Sequence, residues 1–190
     1  MRILFLVGPR AAGKTSLGKA LAQRLGIPFV DTDASLTSHL GRSVAEIVAA
    51  EGWPGFRAHE SATLLREIAA HRASGAVMAT GGGMVLDADN RAQMRNTGLV
   101  LHLDAPARVL AERLAAEPLA GQRPSLTGQD MLAEVEQVLA ERQPLYAAAA
   151  HHRLDASRPL QELCEAALAW LAILESKPSD LGTDREAPTA

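Results

Sequence analysis

The sequence predicts a three-layer α/β/α fold built on a five-stranded parallel sheet, and three observations carry that prediction. Five short apolar runs alternate with segments of helical periodicity, the pattern of strands joined by crossover helices. The runs are continuously apolar instead of alternating, as suits strands covered on both faces. The first run leads directly into a glycine-rich, phosphate-binding pattern that opens a helix.

Taken in order, the strand runs are residues 2–7, 27–31, 75–80, 98–103 and, most weakly patterned, 151–155. The first helix runs from Lys14 to about Leu25, with Gly26 as its C-cap and Pro28 just beyond. Residues 32–72 hold about three helical segments, too much for a simple crossover, and read as an inserted acceptor-binding subdomain. Within it, Ser43-Val44-Ala45-Glu46 is a capping-box pattern. Gly52-Trp53-Pro54-Gly55 is expected to break the chain before a helix from about Phe56 to His71. A stretch rich in breakers, about 115–127, separates two helical patterns and reads as a mobile lid. Residues 1–175 form the expected single domain, and the polar segment 176–190 an expected disordered tail.

Composition narrows the function. With 47% hydrophobic and 22% charged residues, the chain reads as a globular enzyme rather than a disordered or fibrous one. A net charge of −3 offers no footprint for nucleic acid. The single cysteine, Cys164, rules out an intrachain disulfide framework and lies in an apolar helical pattern, so it is expected to be buried. No targeting segment or membrane span is expected, which makes the cytoplasm the anticipated compartment.

Gly8-Pro9-Arg10-Ala11-Ala12-Gly13-Lys14-Thr15 is the pattern G-x-x-x-x-G-K-[ST] between a strand run and a helix. Such a loop closes backbone N–H groups around nucleotide phosphates, and the helix adds its positive end. Lys14 then reaches the β- and γ-phosphates and Thr15 ligates Mg²⁺, so a nucleoside triphosphate is the expected ligand.

Other candidates follow strand ends or helix faces. Asp31 and Asp33 flank Thr32 after the second strand run. One carboxylate there would hold Mg²⁺ through water and the other would accept a hydroxyl proton; helix capping is the plainer alternative and explains one aspartate better than two. Arg57 and Glu60 are spaced i,i+3, either as a surface pair or as an arginine oriented to grip an anionic acceptor. Gly81-Gly82-Gly83 gives up conformational entropy and packing, which close approach of backbone to a ligand explains. Arg142 shares the apolar stripe of Leu132, Val135, Leu139 and Tyr146, so it either snorkels to the surface or meets a buried anion. Arg123, in the lid stretch, is placed to close over a transferring phosphoryl group. The six histidines lack metal-ligand spacing, and most are expected at the surface or at edges.

Together these stretches resemble the shikimate kinase family. The marks are the phosphate loop, Phe29-Val30-Asp31-Thr32-Asp33, Gly55-Phe56-Arg57-Ala58-His59-Glu60, Ala79-Thr80-Gly81-Gly82-Gly83, Arg123-Pro124 and Glu141-Arg142-Gln143-Pro144-Leu145-Tyr146. The resemblance runs from about Ile3 to Leu174, and Gly8-Pro9-Arg10 with Trp53-Pro54-Gly55-Phe56-Arg57 is most similar to the second isoenzyme type of enteric bacteria. It implies a P-loop kinase fold and ATP-dependent phosphorylation of the shikimate 3-hydroxyl, giving shikimate 3-phosphate on the way to chorismate and aromatic amino acids.

By that resemblance Ala11, Ala12, Gly13, Lys14, Thr15 and Ser16, with Arg113 and Arg123, bind ATP, and Thr15 and Asp31 hold Mg²⁺. Asp33, Arg57, Gly82, Gly83 and Arg142 bind shikimate. Lys14, Asp33 and Arg123 serve catalysis, Asp33 as the candidate base. ATP and shikimate are then the expected partners of a monomer, with no nucleic acid or membrane. A gluconate-type kinase and a non-catalytic nucleotide-binding regulator are the rival readings. One position departs from the family pattern: Ala11 stands where a glycine is usual, and alanine fits only with a negative φ or some strain.

Overall fold

The computed structural model describes residues 2–116 and 131–176. Arg123, most of the expected lid and all but the first residue of the expected tail lie outside the described residues.

The chain runs β1 (Ile3–Val7), α1 (Lys14–Leu25), β2 (Phe29–Asp31), α2 (Thr32–Leu40), α3 (Val44–His71) and β3 (Ala76–Ala79). A 3₁₀ turn (Met84–Leu86) leads to α4 (Ala88–Thr97), β4 (Gly98–Asp104), α5 (Ala107–Ala116), α6 (Met131–Ala149), β5 (His152–Asp155) and α7 (Leu160–Ser176). The five strands form one parallel sheet in the order β2-β3-β1-β4-β5. The central β1 has β3 on one side and β4 on the other, so its carboxyl end opens at the point where the strand order reverses. That is where ligands bind in such sheets.

The continuous apolar runs arise because helices cover both faces. Ile3, Phe5 and Val7 point to one side and pack with Leu64 and Ile68 of α3, Met94 of α4 and Tyr146 of α6. Leu4 and Leu6 point to the other and pack with Leu17 and Leu21 of α1, Leu110 of α5 and Leu163 and Cys164 of α7. Each large aliphatic side chain buried this way contributes about 1.5–3 kcal/mol. Two layers of helices therefore follow from two-sided burial of the central strands β1, β3 and β4.

The segment between β2 and β3 has its own small core of Leu36, Ile47 and Phe56. Its capping box is present: Ser43 Oγ accepts from the Glu46 N–H at 3.2 Å, and Glu46 Oε2 accepts from the Ser43 N–H at 2.7 Å. The break expected over residues 52–55 shrinks to one residue. Only Gly52 is non-helical (φ 69°, ψ 178°), and Trp53, Pro54 and Gly55 form the first turn of the resumed helix. Proline is tolerated there because its missing N–H has no partner to lose.

His102 is the exception among the histidines, only 2% exposed on β4 and stacked on Tyr146. A strand buried on both faces leaves a polar residue no exposed side to occupy. The other five histidines are exposed or half-buried, as expected. Among the described residues no helix is long and apolar enough to cross a membrane.

Candidate active site

The loop after β1 is built from left-handed backbone: Gly8, Ala11 and Gly13 have φ of +146°, +58° and +88°. Ala11 thus adopts the strained alternative of the two that the sequence allows. Its carbonyl accepts a hydrogen bond from Arg113 Nη1 at 3.3 Å, which ties α5 to the loop. Lys14 Nζ donates to the carbonyls of Gly8 (2.9 Å) and Pro9 (2.6 Å), so the ammonium is held within the curl of its own loop.

Thr15 Oγ1 donates to Asp31 Oδ2 at 2.8 Å, while Asp31 Oδ1 caps α2 by accepting from the N–H groups of Asp33 (3.1 Å) and Ala34 (3.2 Å). Asp31 therefore carries both readings, one on each oxygen. The described capping bonds use Asp31 alone, so capping does not account for Asp33. A cleft of about 1340 Å³ includes residues 10–16 with Asp31, Asp33, Gly82 and Arg113. This exceeds the roughly 300–1,000 Å³ usual for one small ligand.

The second half of the site forms around the three glycines. The Gly81 N–H donates to Thr32 Oγ1 at 3.1 Å. A Cβ on Gly81 would lie 2.6 Å from both Asp33 Oδ1 and Glu60 Oε1, and one on Gly83 would collide with the Arg57 guanidinium. The Gly82 carbonyl accepts from Arg142 Nη1 (3.2 Å) and Tyr146 Oη (2.6 Å). The triple glycine thus lets Asp33, Arg57, Glu60 and Arg142 converge on bare backbone from three different elements.

Both arginines depart from their plainer readings. Arg57 pairs with a Glu60 that is 3% exposed, so the pair is no ordinary surface bridge. Its guanidinium also stands 5.4 Å from the Trp53 ring centroid and 5.3 Å from that of Phe56. Burial pushes the Glu60 carboxyl above its ordinary pKa, and the adjacent Arg57 partly offsets this. Arg142 is 9% exposed and does not snorkel; its buried Nε has no hydrogen-bond partner among the described residues. A buried donor left unpaired costs on the order of 1–3 kcal/mol.

Some contributors escape sequence reasoning. Tyr146 is recognisable only as a core residue, because its partner Gly82 is 64 positions away. Ala156 and Arg158 also line the cleft, after β5; the rule that ligands gather at the carboxyl ends of parallel strands would have pointed to them. Among the described residues no group of three or more His, Cys, Asp or Glu side chains is arranged to hold a metal.

Comparison with known proteins follows the same outline. The family model described as shikimate kinase matches residues 10–172. Shikimate kinase 2 of Yersinia enterocolitica is 54% identical over 169 residues, spanning 89% of this chain and 95% of the relative. The solved shikimate kinase of Acinetobacter baumannii, in complex with shikimate, superposes with a TM-score of 0.85 at 30% identity, over 93% of this chain and 96% of that one. A gluconokinase from Sinorhizobium meliloti shares the fold alone, with a TM-score of 0.54 at 21% identity over 91% of this chain and 93% of that one.

Proposed function

The chain belongs to the shikimate kinase family, and from that premise we propose that its cleft holds ATP on the loop of residues 8–15 and shikimate against Gly82 and Gly83. The reaction is ATP-dependent phosphorylation of the shikimate 3-hydroxyl, which yields shikimate 3-phosphate and ADP for aromatic amino-acid biosynthesis. The observation that carries the residue assignment is the meeting of Arg57, Arg142 and Asp33 on the glycine backbone beside the phosphate loop. Two guanidinium groups suit the acceptor's carboxylate, and a carboxylate suits its hydroxyls.

Phosphoryl transfer asks the protein chiefly for positioning and charge neutralisation. Asp33 aligns the 3-hydroxyl and takes its proton as that oxygen bonds to the γ-phosphorus; the bond from the γ-phosphorus to the β,γ-bridging oxygen breaks and ADP leaves. Lys14 exchanges its loop carbonyls for phosphate oxygens and balances the charge on them. Backbone N–H groups of residues 11–16 cradle the phosphates. Arg113 lies at the cleft edge for the nucleotide, and Arg123 is assigned to the phosphates on the resemblance alone.

The donor set at Thr15 and Asp31, a hydroxyl and a carboxylate oxygen 2.8 Å apart on the cleft, fits Mg²⁺, which favours few hard protein oxygens plus phosphate. Bound there with ATP, it supplies neutralisation of the β- and γ-phosphate charge. The same reading has the enzyme act as a monomer in the cytoplasm, with no nucleic-acid or membrane partner.

Steady-state kinetics of Arg57→Ala and Arg142→Ala test the acceptor site. Loss of a charge-assisted contact is worth about 1.5–3 kcal/mol, so the shikimate KM should rise on the order of 10–100-fold. The ATP KM should stay within about twofold, because the described hydrogen bonds of both groups go to the acceptor side and none to the phosphate loop. An unchanged shikimate KM removes both arginines from the acceptor site.

A further inference from the structure

Tyr146 lies one helical turn beyond Arg142 on α6, and its hydroxyl shares an acceptor with that guanidinium. Tyr146 Oη donates to the Gly82 carbonyl at 2.6 Å, and Arg142 Nη1 donates to the same oxygen at 3.2 Å. The ring is 1% exposed and stacks on His102, with centroids 5.1 Å apart and planes inclined by 25°. His102 is the β4 partner of Val7, the last residue of the strand that carries the phosphate loop. The tyrosine is therefore braced against the centre of the sheet while its hydroxyl reaches the acceptor side.

Burial pushes the Tyr146 phenol up to about 12, so it stays protonated and can donate across the working pH range. A carbonyl oxygen has two acceptor lone pairs. The short bond from Tyr146 occupies one and fixes the plane of the Gly82 peptide, which leaves the other for Arg142. Arg142 Nη1 donates to Gly82, the guanidinium also interacts directly with the Tyr146 hydroxyl, and its buried Nε has no partner among the described residues. The direction in which Arg142 presents its remaining N–H groups therefore depends on the Gly82 oxygen and on the Tyr146 hydroxyl that holds it.

We propose that Tyr146 is a positioning residue for the acceptor: by holding the Gly82 carbonyl it aims Arg142, and so tunes affinity for shikimate but not for ATP. The inference rests on the acceptor reading above. It assigns a role to a tyrosine that makes no contact with the reacting atoms.

Tyr146→Phe is the test, because it keeps the ring, the stack and the core volume and removes only the hydroxyl. The shikimate KM should rise about five- to tenfold, as for one lost hydrogen bond. The ATP KM should stay within about twofold and kcat within about threefold, because the contact is the same in ground and transition states. General destabilisation would lower the active fraction, and so the apparent kcat, without raising the KM for shikimate alone. If Tyr146→Phe fails to melt cooperatively, His102→Leu removes the brace instead and should produce a smaller rise of about two- to fivefold, again confined to shikimate.

An unchanged shikimate KM, or a parallel rise for both substrates, overturns the inference. The wild-type enzyme, assayed alongside, keeps the two readings apart. No shikimate-dependent turnover in the wild type strikes the acceptor assignment, whereas normal wild-type turnover with an unaffected Tyr146→Phe strikes only the positioning role.

Discussion

Ala11 holds a φ of +58° in a loop where the neighbouring left-handed residues, Gly8 and Gly13, are glycines. The left-handed conformation costs a residue with a Cβ about 1–2 kcal/mol. The Arg113 hydrogen bond to the Ala11 carbonyl helps hold the peptide in place. Ala11→Gly should therefore raise unfolding stability by about 1 kcal/mol, less than the full penalty because glycine also loses more entropy on folding. Denaturant unfolding measures this; an unchanged or lower midpoint would mean that the loop tolerates alanine without strain. The departure from the family pattern was visible in the sequence, but the sign of φ was not, since it is set by how the loop closes. Asp31 was equally ambiguous beforehand, because its two oxygens do two jobs.

At the scale of elements, the kink in α3 sets the direction of the helix that carries the proposed acceptor residues. Gly52 adopts φ 69° and ψ 178°, a region open essentially to glycine alone. After that residue the helix carries Trp53, Phe56, Arg57 and Glu60 toward the three glycines. Gly52→Ala should lower stability by about 1–3 kcal/mol and raise the shikimate KM, measured by denaturant melts and initial rates. Wild-type values for both would show that the kink does not aim the helix. Here the sequence signalled a break but blurred its extent: Pro54 and Gly55 read as breakers, yet a first helical turn accommodates both. Where the caps were local, as at Ser43 with Glu46 or Gly26 after α1, the boundaries could be read directly.

For the molecule as a whole, two-sided burial of the three central strands made the layers legible, because β1, β3 and β4 had to be apolar on both faces. The edge strands β2 and β5 are only partly buried. The strand order was not legible, since it depends on which crossovers place β3 and β4 beside β1. The same non-locality hides the joined site. Arg57, Gly82 and Arg142 are each ambiguous in sequence, and only the sheet brings the third strand's glycines between α3 and α6. On the proposed assignment, this assembly sets an acceptor site beside the nucleotide loop, the geometry that direct phosphoryl transfer requires.

The most direct measurement is ADP release by the purified protein with ATP and Mg²⁺, comparing shikimate, gluconate and no acceptor. The expected result is ADP release that depends on shikimate and matches shikimate 3-phosphate formed mole for mole, with the other two reactions at background. ADP release driven by gluconate alone, or equal in all three reactions, would contradict the account.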